Sequence, residues 1–210
     1  MPRTPRRATP RSLEPRSLEN AALFYLQRFA TSAENLRRVL MRRVERAARA
    51  HGTDPAEGAA LVEALVARFR ACGLLDDRAY AVAQAATLRR RGWPGRAVRA
   101  RLRLKGVAED DVAAALATED AGSGDPDLAA AVRFAARRRL GPFRPAEGAA
   151  ASPEKDLAAF ARAGFRYEVA RRVLAATTPA EIDPAEIDPA ETDSAEIDPA
   201  EIDPDLVNGR

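Results

Sequence analysis

The residues of this chain that are best suited to chemistry are basic, and most of them lie near the middle of the sequence. A guanidinium group presents planar N–H donors that match the oxygens of a phosphate or a carboxylate, so clustered arginines predict an anionic partner. The candidates for such contacts are Arg89, Arg90, Arg91, Arg96, Arg99, Arg103 and Lys105, with Arg42, Arg137 and Arg138 from the flanking segments. A GC-rich genome, which favours arginine codons, accounts for the rarity of lysine but not for the clustering.

Residue combinations that enzymes use cannot be placed in this sequence. His51 is the only histidine and is predicted at a helix end, where it caps the helix or is solvated. Asp76 and Asp77 form a carboxylate pair, but they open a predicted helix and have no further ligands at metal-binding spacing, which favours capping. There is no glycine-rich phosphate loop and no nucleophile–histidine arrangement. We therefore expect a protein that is not an enzyme and that needs neither a cofactor nor a metal.

The composition predicts a helical protein, because alanine and arginine are frequent and aromatic residues make up only 5% of the chain. Residues 178–210 contain 11 acidic residues and one basic residue, whereas the rest of the chain contains 33 basic and 20 acidic residues. A body this basic suggests nucleic acid, a membrane surface or an acidic protein as its partner. The single cysteine and the lack of a spanning segment or a signal peptide predict a cytoplasmic protein.

The elements that position the central arginines are helices marked by apolar spacing and by capping residues. One helix is predicted over 18–29, and the next is capped by Thr31 with Glu34 three residues later. Asp54 and Pro55 open a third helix. Further helices are predicted to begin at Asp76, Gly95, Glu109, Pro126 and Pro153 and just after Phe165.

The helix predicted over 95–105 separates a packing face from a binding face. At about 100° per residue, Val98 and Leu102 lie on one side, and an arc of about 60° on the other side holds three arginines. Those three are Arg96, Arg99 and Arg103. Arg101 fits neither face, so we expect it to reach an edge of the apolar side or to pair with a carboxylate.

The two ends of the chain are predicted to be disordered. Residues 1–16 carry five arginines and four prolines before any periodic pattern begins. From Thr178 the chain reads as a five-residue repeat, Pro-Ala-Glu-Ile-Asp, whose recurring prolines forbid a continuous helix. This acidic tail either mimics an anionic ligand of the basic body or has no specific role.

Helices of similar spacing recur along the chain, each followed by a glycine. We predict an all-α protein built as an elongated tandem array of three-helix repeats, with about nine helices. The boundaries are a basic arm at 1–16, repeat 1 at 17–75, repeat 2 at 76–121, repeat 3 at 125–176 and the acidic tail at 177–210.

The central stretch GLLDDRAYA, followed by RRRGWPGRAVRARLRLKGV, resembles the signature of the RecX family of bacterial regulatory proteins. The stretch LAAFARAGFRYEVARRVL resembles the last repeat of that family. The matching positions to which the resemblance assigns structural roles are Leu75, Asp76, Asp77, Tyr80, Gly92, Leu102, Gly106, Gly164 and Phe165.

The resemblance implies tandem three-helix repeats that bind the RecA recombinase in a groove of its filament on DNA. It also implies down-regulation of DNA-dependent ATP hydrolysis, strand exchange and co-protease activity in DNA repair and the SOS response, and direct binding of DNA. We expect the protein to act as a monomer without a membrane partner. An alternative from another class is a helix-turn-helix protein that acts directly on duplex DNA.

Overall fold

The computed structural model describes residues 14–121, 124–145 and 152–182. Within these ranges the chain forms nine α-helices, two short 3₁₀ turns and no strand, so the predicted all-α class and the number of helices are confirmed. The chain divides into two compact units, of which the first runs to Tyr80 and the second begins at Ala81. The division into three repeats stays a prediction.

The first unit contains three complete helices, α1 (Pro15–Leu26), α2 (Ala33–His51) and α3 (Pro55–Ala71), followed by the start of α4 (Asp77–Arg90). On each helix, aliphatic residues three and four positions apart lie on one face and form an apolar stripe. The stripes of α1, α2 and α3 meet in a single core. The core consists of Leu18, Ala22, Ala33, Leu36, Leu40, Val44, Val62, Leu65, Val66, Phe69 and Leu75.

The capping residue predicted for α2 is wrong by one position. Ser32 is the N-cap, and its hydroxyl oxygen accepts a hydrogen bond from the Asn35 backbone N–H at 3.2 Å. Thr31 is also buried, and its hydroxyl oxygen accepts from the Asn35 side-chain amide at 2.8 Å. Both residue types are good N-caps, and in the structure Ser32 is the one that begins the helix.

The adjacent carboxylates Asp76 and Asp77 cap two different helices. Asp76 accepts from the backbone N–H of Ala79 at 2.9 Å and so caps α4, which it precedes. Asp77 accepts from the backbone N–H of Ala33, the first residue of α2, at 2.7 Å. The sequence predicts only the first contact, because the second joins residues 44 positions apart.

The second unit contains the rest of α4 and five further helices. They are α5 (Gly95–Leu104), α6 (Glu109–Asp120), α7 (Pro126–Arg138), α8 (Pro153–Ala163) and α9 (Tyr167–Ala175). A 3₁₀ turn at Gly141–Phe143 follows α7, and a second one at Pro179–Glu181 follows α9. Helices α7, α8 and α9 share a core formed mainly by Leu128, Ala130, Ala131, Val132, Ala135, Phe160, Phe165, Ala170, Val173 and Ile182.

A cluster of three aromatic rings lies in this core. Phe134, Phe160 and Phe165 have ring centroids 5.1 to 5.4 Å apart in edge-to-face or tilted arrangements. Such pairs add to the stability that simple area burial provides. The cluster gives Phe165, one of the residues of the family signature, a structural role.

At both ends the folded part of the chain extends further than the sequence predicts. Helix α1 starts at Pro15, so residues 15–16 of the predicted basic arm are helical, because proline is well suited to the first helical turn. At the other end, residues 177–182 are ordered and Ile182 is only 6% exposed in the α7–α9 core. The rest of the arm and of the acidic tail, 1–13 and 183–210, lies outside the described residues.

Candidate functional site

Helix α5 has the two faces that its sequence predicts. Val98 is fully buried and Leu102 is 1% exposed, so the predicted packing face is confirmed. Arg96 and Arg103 are exposed and Arg99 is half-buried on the other side. Arg101, which fits neither face of the wheel, is half-buried and has an interaction partner. We call Arg96, Arg99 and Arg103 the α5 face.

The α5 face has an acidic neighbour on α6. Arg99 donates a hydrogen bond to Glu109, and the Arg103 Nε lies 3.5 Å from a carboxylate oxygen of the same residue. The three side chains are between 42% and 66% exposed. Ion pairs this exposed contribute at most about 1 kcal/mol, so an external anion can displace Glu109 at little cost.

Arg89 belongs to the fold and not to a binding surface, which corrects its place among the predicted contacts. Its side chain is 8% exposed and lies within 2.7 Å of Asp120 and 2.6 Å of Asp127. It also donates to the carbonyl oxygen of Trp93 at 3.3 Å. The guanidinium therefore ties the end of α4 to the α4–α5 turn and to α6 and α7. Sequence reasoning missed this because its acidic partners lie 31 and 38 positions away.

The contacts of Arg89 affect the pKa of Asp127. Partial burial raises the pKa of the Asp127 carboxyl, but hydrogen bonds from Arg89 and from the Gly95 backbone N–H outweigh this effect. The positive charges of Arg89 and Arg166 act in the same direction, so the pKa of Asp127 lies below its usual range. Asp127 therefore stays ionised and holds both Arg89 and the first residue of α5.

The glycine between α4 and α5 sets how closely α7 approaches. Gly92 has φ of +75°, and a Cβ there would lie 2.6 Å from the backbone nitrogen of Phe134 and 2.8 Å from the carbonyl oxygen of Ala130. A side chain at this position meets backbone that cannot rotate away. Gly92 thus permits the turn and also the contact between the α4–α5 turn and α7.

This contact brings together basic residues that are distant in sequence. The Arg137 guanidinium donates to the carbonyl oxygen of Arg91 at 2.6 Å, so the C-terminal ends of α4 and α7 lie side by side. The Arg138 guanidinium lies 5.9 Å from the centre of the Phe134 ring. Four of the five arginines at these ends are exposed and Arg91 is half-buried. We call this set the arginine ridge: Arg90, Arg91, Arg137, Arg138 and Arg139.

Helix termini explain how five like charges can gather on the arginine ridge. The C-terminal end of an α-helix carries partial negative charge on carbonyl groups that have no partner within the helix, and cations there are stabilised. Two such ends meet at the ridge. The sequence predicts four members of this set, and Arg139, which adopts φ of +54° at the end of α7, is the addition.

The other predicted contacts lie apart from these surfaces or have partners of their own. Arg42 is exposed on α2 in the first unit, where Arg37 and Arg38 form ion pairs with Glu63 and Glu34 at 2.7 and 3.0 Å. Lys105 is half-buried at the end of α5 and has an interaction partner.

The sequence analysis did not predict a basic surface on α9. A shallow hollow of about 370 Å³ is lined by Tyr167, Glu168, Arg171, Arg172 and Ala175. Tyr167 is 58% exposed. The adjacent arginines within the stretch YEVARRVL are the signal that could have identified it.

The described residues contain neither a group placed to hold a metal ion nor a helix that could span a membrane. No group of three or more histidine, cysteine, aspartate or glutamate side chains among them is placed to hold a metal ion. None of the helices in the described ranges is long and apolar enough to cross a membrane.

Comparison with known proteins places the chain in a family. Residues 76–116 match the family model described as the second three-helix domain of RecX. The regulatory protein RecX of Myxococcus xanthus is 45% identical over 156 residues, which cover 74% of this chain and 82% of that protein. The chain belongs to the RecX family. The regulatory protein RecX of Agrobacterium fabrum is 35% identical over 159 residues, covering 76% of this chain and 82% of its own length.

Family membership gives the motif residues a structural meaning. In this RecX family member, Leu75, Tyr80 and Leu102 are between 1% and 9% exposed, and Gly106 and Gly164 adopt φ of +79° and +99°. These residues therefore maintain the three-helix architecture.

Proposed function

We propose that the chain is a non-enzymatic regulator that binds the RecA recombinase and RecA filaments on DNA and inhibits their activities. Membership of a family of regulatory proteins, shown by two relatives at 45% and 35% identity, is the observation that carries this proposal. The affected activities are strand exchange, DNA-dependent ATP hydrolysis and co-protease stimulation, and the setting is DNA repair and the SOS response.

The surfaces of the second unit supply the chemistry for this role. A RecA filament on DNA presents phosphates and carboxylates, and arginine binds both through paired N–H donors. The α5 face and the arginine ridge together hold eight arginines in this unit. We propose that these residues, with Arg42 of the first unit, make the contacts, and that the monomer is the active form, in the cytoplasm.

Binding and inhibition can be separated experimentally. The full chain is added to RecA filaments preassembled on oligo(dT), and both co-sedimentation and the rate of ATP hydrolysis are measured. We expect the chain to sediment with the filaments and to lower the rate at stoichiometric amounts. A chain that stays in the supernatant and leaves the rate unchanged would remove the proposal.

Direct contact with single-stranded DNA has its own signature. For each phosphate that the protein neutralises, log K falls with log of the salt concentration by a slope of about 0.7. If the three arginines of the α5 face each contact a phosphate, changing all three to glutamine should reduce the slope by about 2. An unchanged slope would assign DNA contact to other residues.

A further inference from the structure

The first Pro-Ala-Glu-Ile-Asp repeat shows how the acidic segment joins the folded protein. Residues 179–181 form a 3₁₀ turn, and the Glu181 carboxylate accepts a hydrogen bond from the backbone N–H of Thr177 at 2.7 Å. The next residue, Ile182, is 6% exposed in the α7–α9 core. The chain beyond this point therefore starts from a fixed position on the second unit.

The remaining repeats are strongly anionic. Residues 183–210 contain ten carboxylates and one arginine, and each five-residue repeat places Glu and Asp two positions apart. In an extended chain, residues two positions apart point to the same side, about 7 Å from each other. In an extended conformation each repeat would therefore present a pair of carboxylates on one side.

The arginine ridge is the complementary surface within reach. It is carried in part by α7, which also contributes to the core in which Ile182 is buried. Helix α7 has 13 residues and is therefore about 20 Å long. A segment of 28 residues can span up to about 90 Å when fully extended, so the ridge lies within its reach.

The ridge also matches the repeats in chemistry. Two α-helices end there, and their arginines can each bind a carboxylate through two N–H groups. On the α5 face, by comparison, Glu109 lies against Arg99 and Arg103 and lowers the net positive charge.

We propose that residues 183–210 bind the arginine ridge of their own chain and compete there with external anionic polymers, such as the phosphates of nucleic acid. The segment is a built-in competitor whose effective concentration is set by its attachment at Ile182. For a segment joined directly to the protein that bears its binding surface, that concentration is on the order of 1 mM. The competition with DNA rests on the proposed function, whereas the binding of the segment to the ridge does not.

The test uses a full-length variant in which the ten carboxylates of residues 183–205 are changed to their amides. A fluorescently labelled peptide of residues 183–210 is titrated into this variant at low salt, and its anisotropy is measured without RecA or DNA. We expect binding that weakens as salt rises and that an all-amide peptide does not show. Absence of binding at millimolar protein would overturn the proposal.

Two further full-length proteins locate the surface. Changing Arg90, Arg137 and Arg138 to glutamine in the amide background should weaken peptide binding at least about 10-fold, since three charge-assisted contacts are lost. The control carries the same change at three exposed arginines of the first unit, Arg16, Arg49 and Arg70. Equal weakening by both triple variants would show that only net charge matters, and this would contradict a specific surface.

The last comparison relates the affinity of the protein for the peptide to its affinity for oligo(dT). If the segment occupies the ridge, it weakens the binding of oligo(dT) by competition. The factor is one plus a ratio, namely the effective concentration of the segment over the dissociation constant of the peptide. With a peptide dissociation constant of 100 μM, the amide variant should bind oligo(dT) about 11 times more tightly than the natural sequence. Equal affinity of the two proteins for oligo(dT), with a peptide that binds, would overturn the competition and leave RecA regulation untouched.

Discussion

Replacement of Arg89 by methionine is the sharpest test of how the second unit is held together. Methionine keeps much of the length of the side chain but removes the charge that Asp120 and Asp127 share at 2.7 and 2.6 Å. Removing one partner of a buried pair costs about 3–5 kcal/mol. Because the two carboxylates are about one-third exposed and water can reach them, we expect about 2–3 kcal/mol here.

This loss should appear in thermal and urea unfolding followed by circular dichroism. For a protein of this size, about 2.5 kcal/mol corresponds to a decrease in Tm of about 5–10 °C. The matched control is Arg103→Met, which removes the same charge from a side chain that is 66% exposed, and it should change stability by less than about 0.5 kcal/mol. Equal stability of the two variants would refute the structural role assigned to Arg89.

The pH dependence gives a second signature of the same contact. The pKa of Asp127 is lowered by folding, so its contribution to stability is present above its unfolded pKa, near the ordinary value of 3.8. That contribution is lost as the pH falls through the folded pKa. Arg89→Met removes the main partner, so the variant should lose less stability between pH 5 and acidic pH. An identical acid dependence in both proteins would contradict the pairing.

Three further substitutions test single contacts by the same unfolding measurements. Gly92→Ala should destabilise the protein by at least about 2 kcal/mol, because the new Cβ would meet the Phe134 backbone. The control Gly52→Ala, at a similar φ of +68° but with open space around the new Cβ, should cost about 1 kcal/mol. Equal costs would contradict the close approach of α7 to Gly92. Asp77→Ala should destabilise the first unit by about 1 kcal/mol through loss of the cap on α2, and a neutral result would reject that role. Phe160→Ala should cost about 3–5 kcal/mol, because the ring is fully buried between two others, and a cost under 1 kcal/mol would show that the cluster is loosely packed.

The helices and the two faces of α5 could be predicted from the sequence because they depend on local information. Apolar residues at a 3.6-residue period place Val98 and Leu102 inward on α5, and proline and aspartate mark helix starts such as Pro55 and Pro126. These signals involve residues within a few turns of one another. The same reasoning failed at Thr31 and Ser32, where two adjacent residues can both cap a helix.

The parts of the site that could not be predicted depend on contacts between distant residues. A sequence shows that Arg89 belongs to a basic cluster, but only the fold shows that Asp120 and Asp127 surround it. In the same way, Arg91 and Arg137 are 46 positions apart and meet because Gly92 lets α7 approach. The proposed partner follows from membership of the family, because charge alone indicates only an anion.

The central claim is that this RecX family member inhibits RecA through the arginines of its second unit. The most direct measurement is ATP hydrolysis by the cognate RecA on single-stranded DNA, titrated with three full-length proteins. The natural sequence and the control with glutamine at Arg16, Arg49 and Arg70 should inhibit at the same concentrations. The variant with glutamine at Arg96, Arg99 and Arg103 should need at least about 10-fold more, since three charge-assisted contacts are lost. A rate that the natural protein leaves unchanged at stoichiometric amounts would contradict the claim, and equal inhibition by all three would exclude the α5 face.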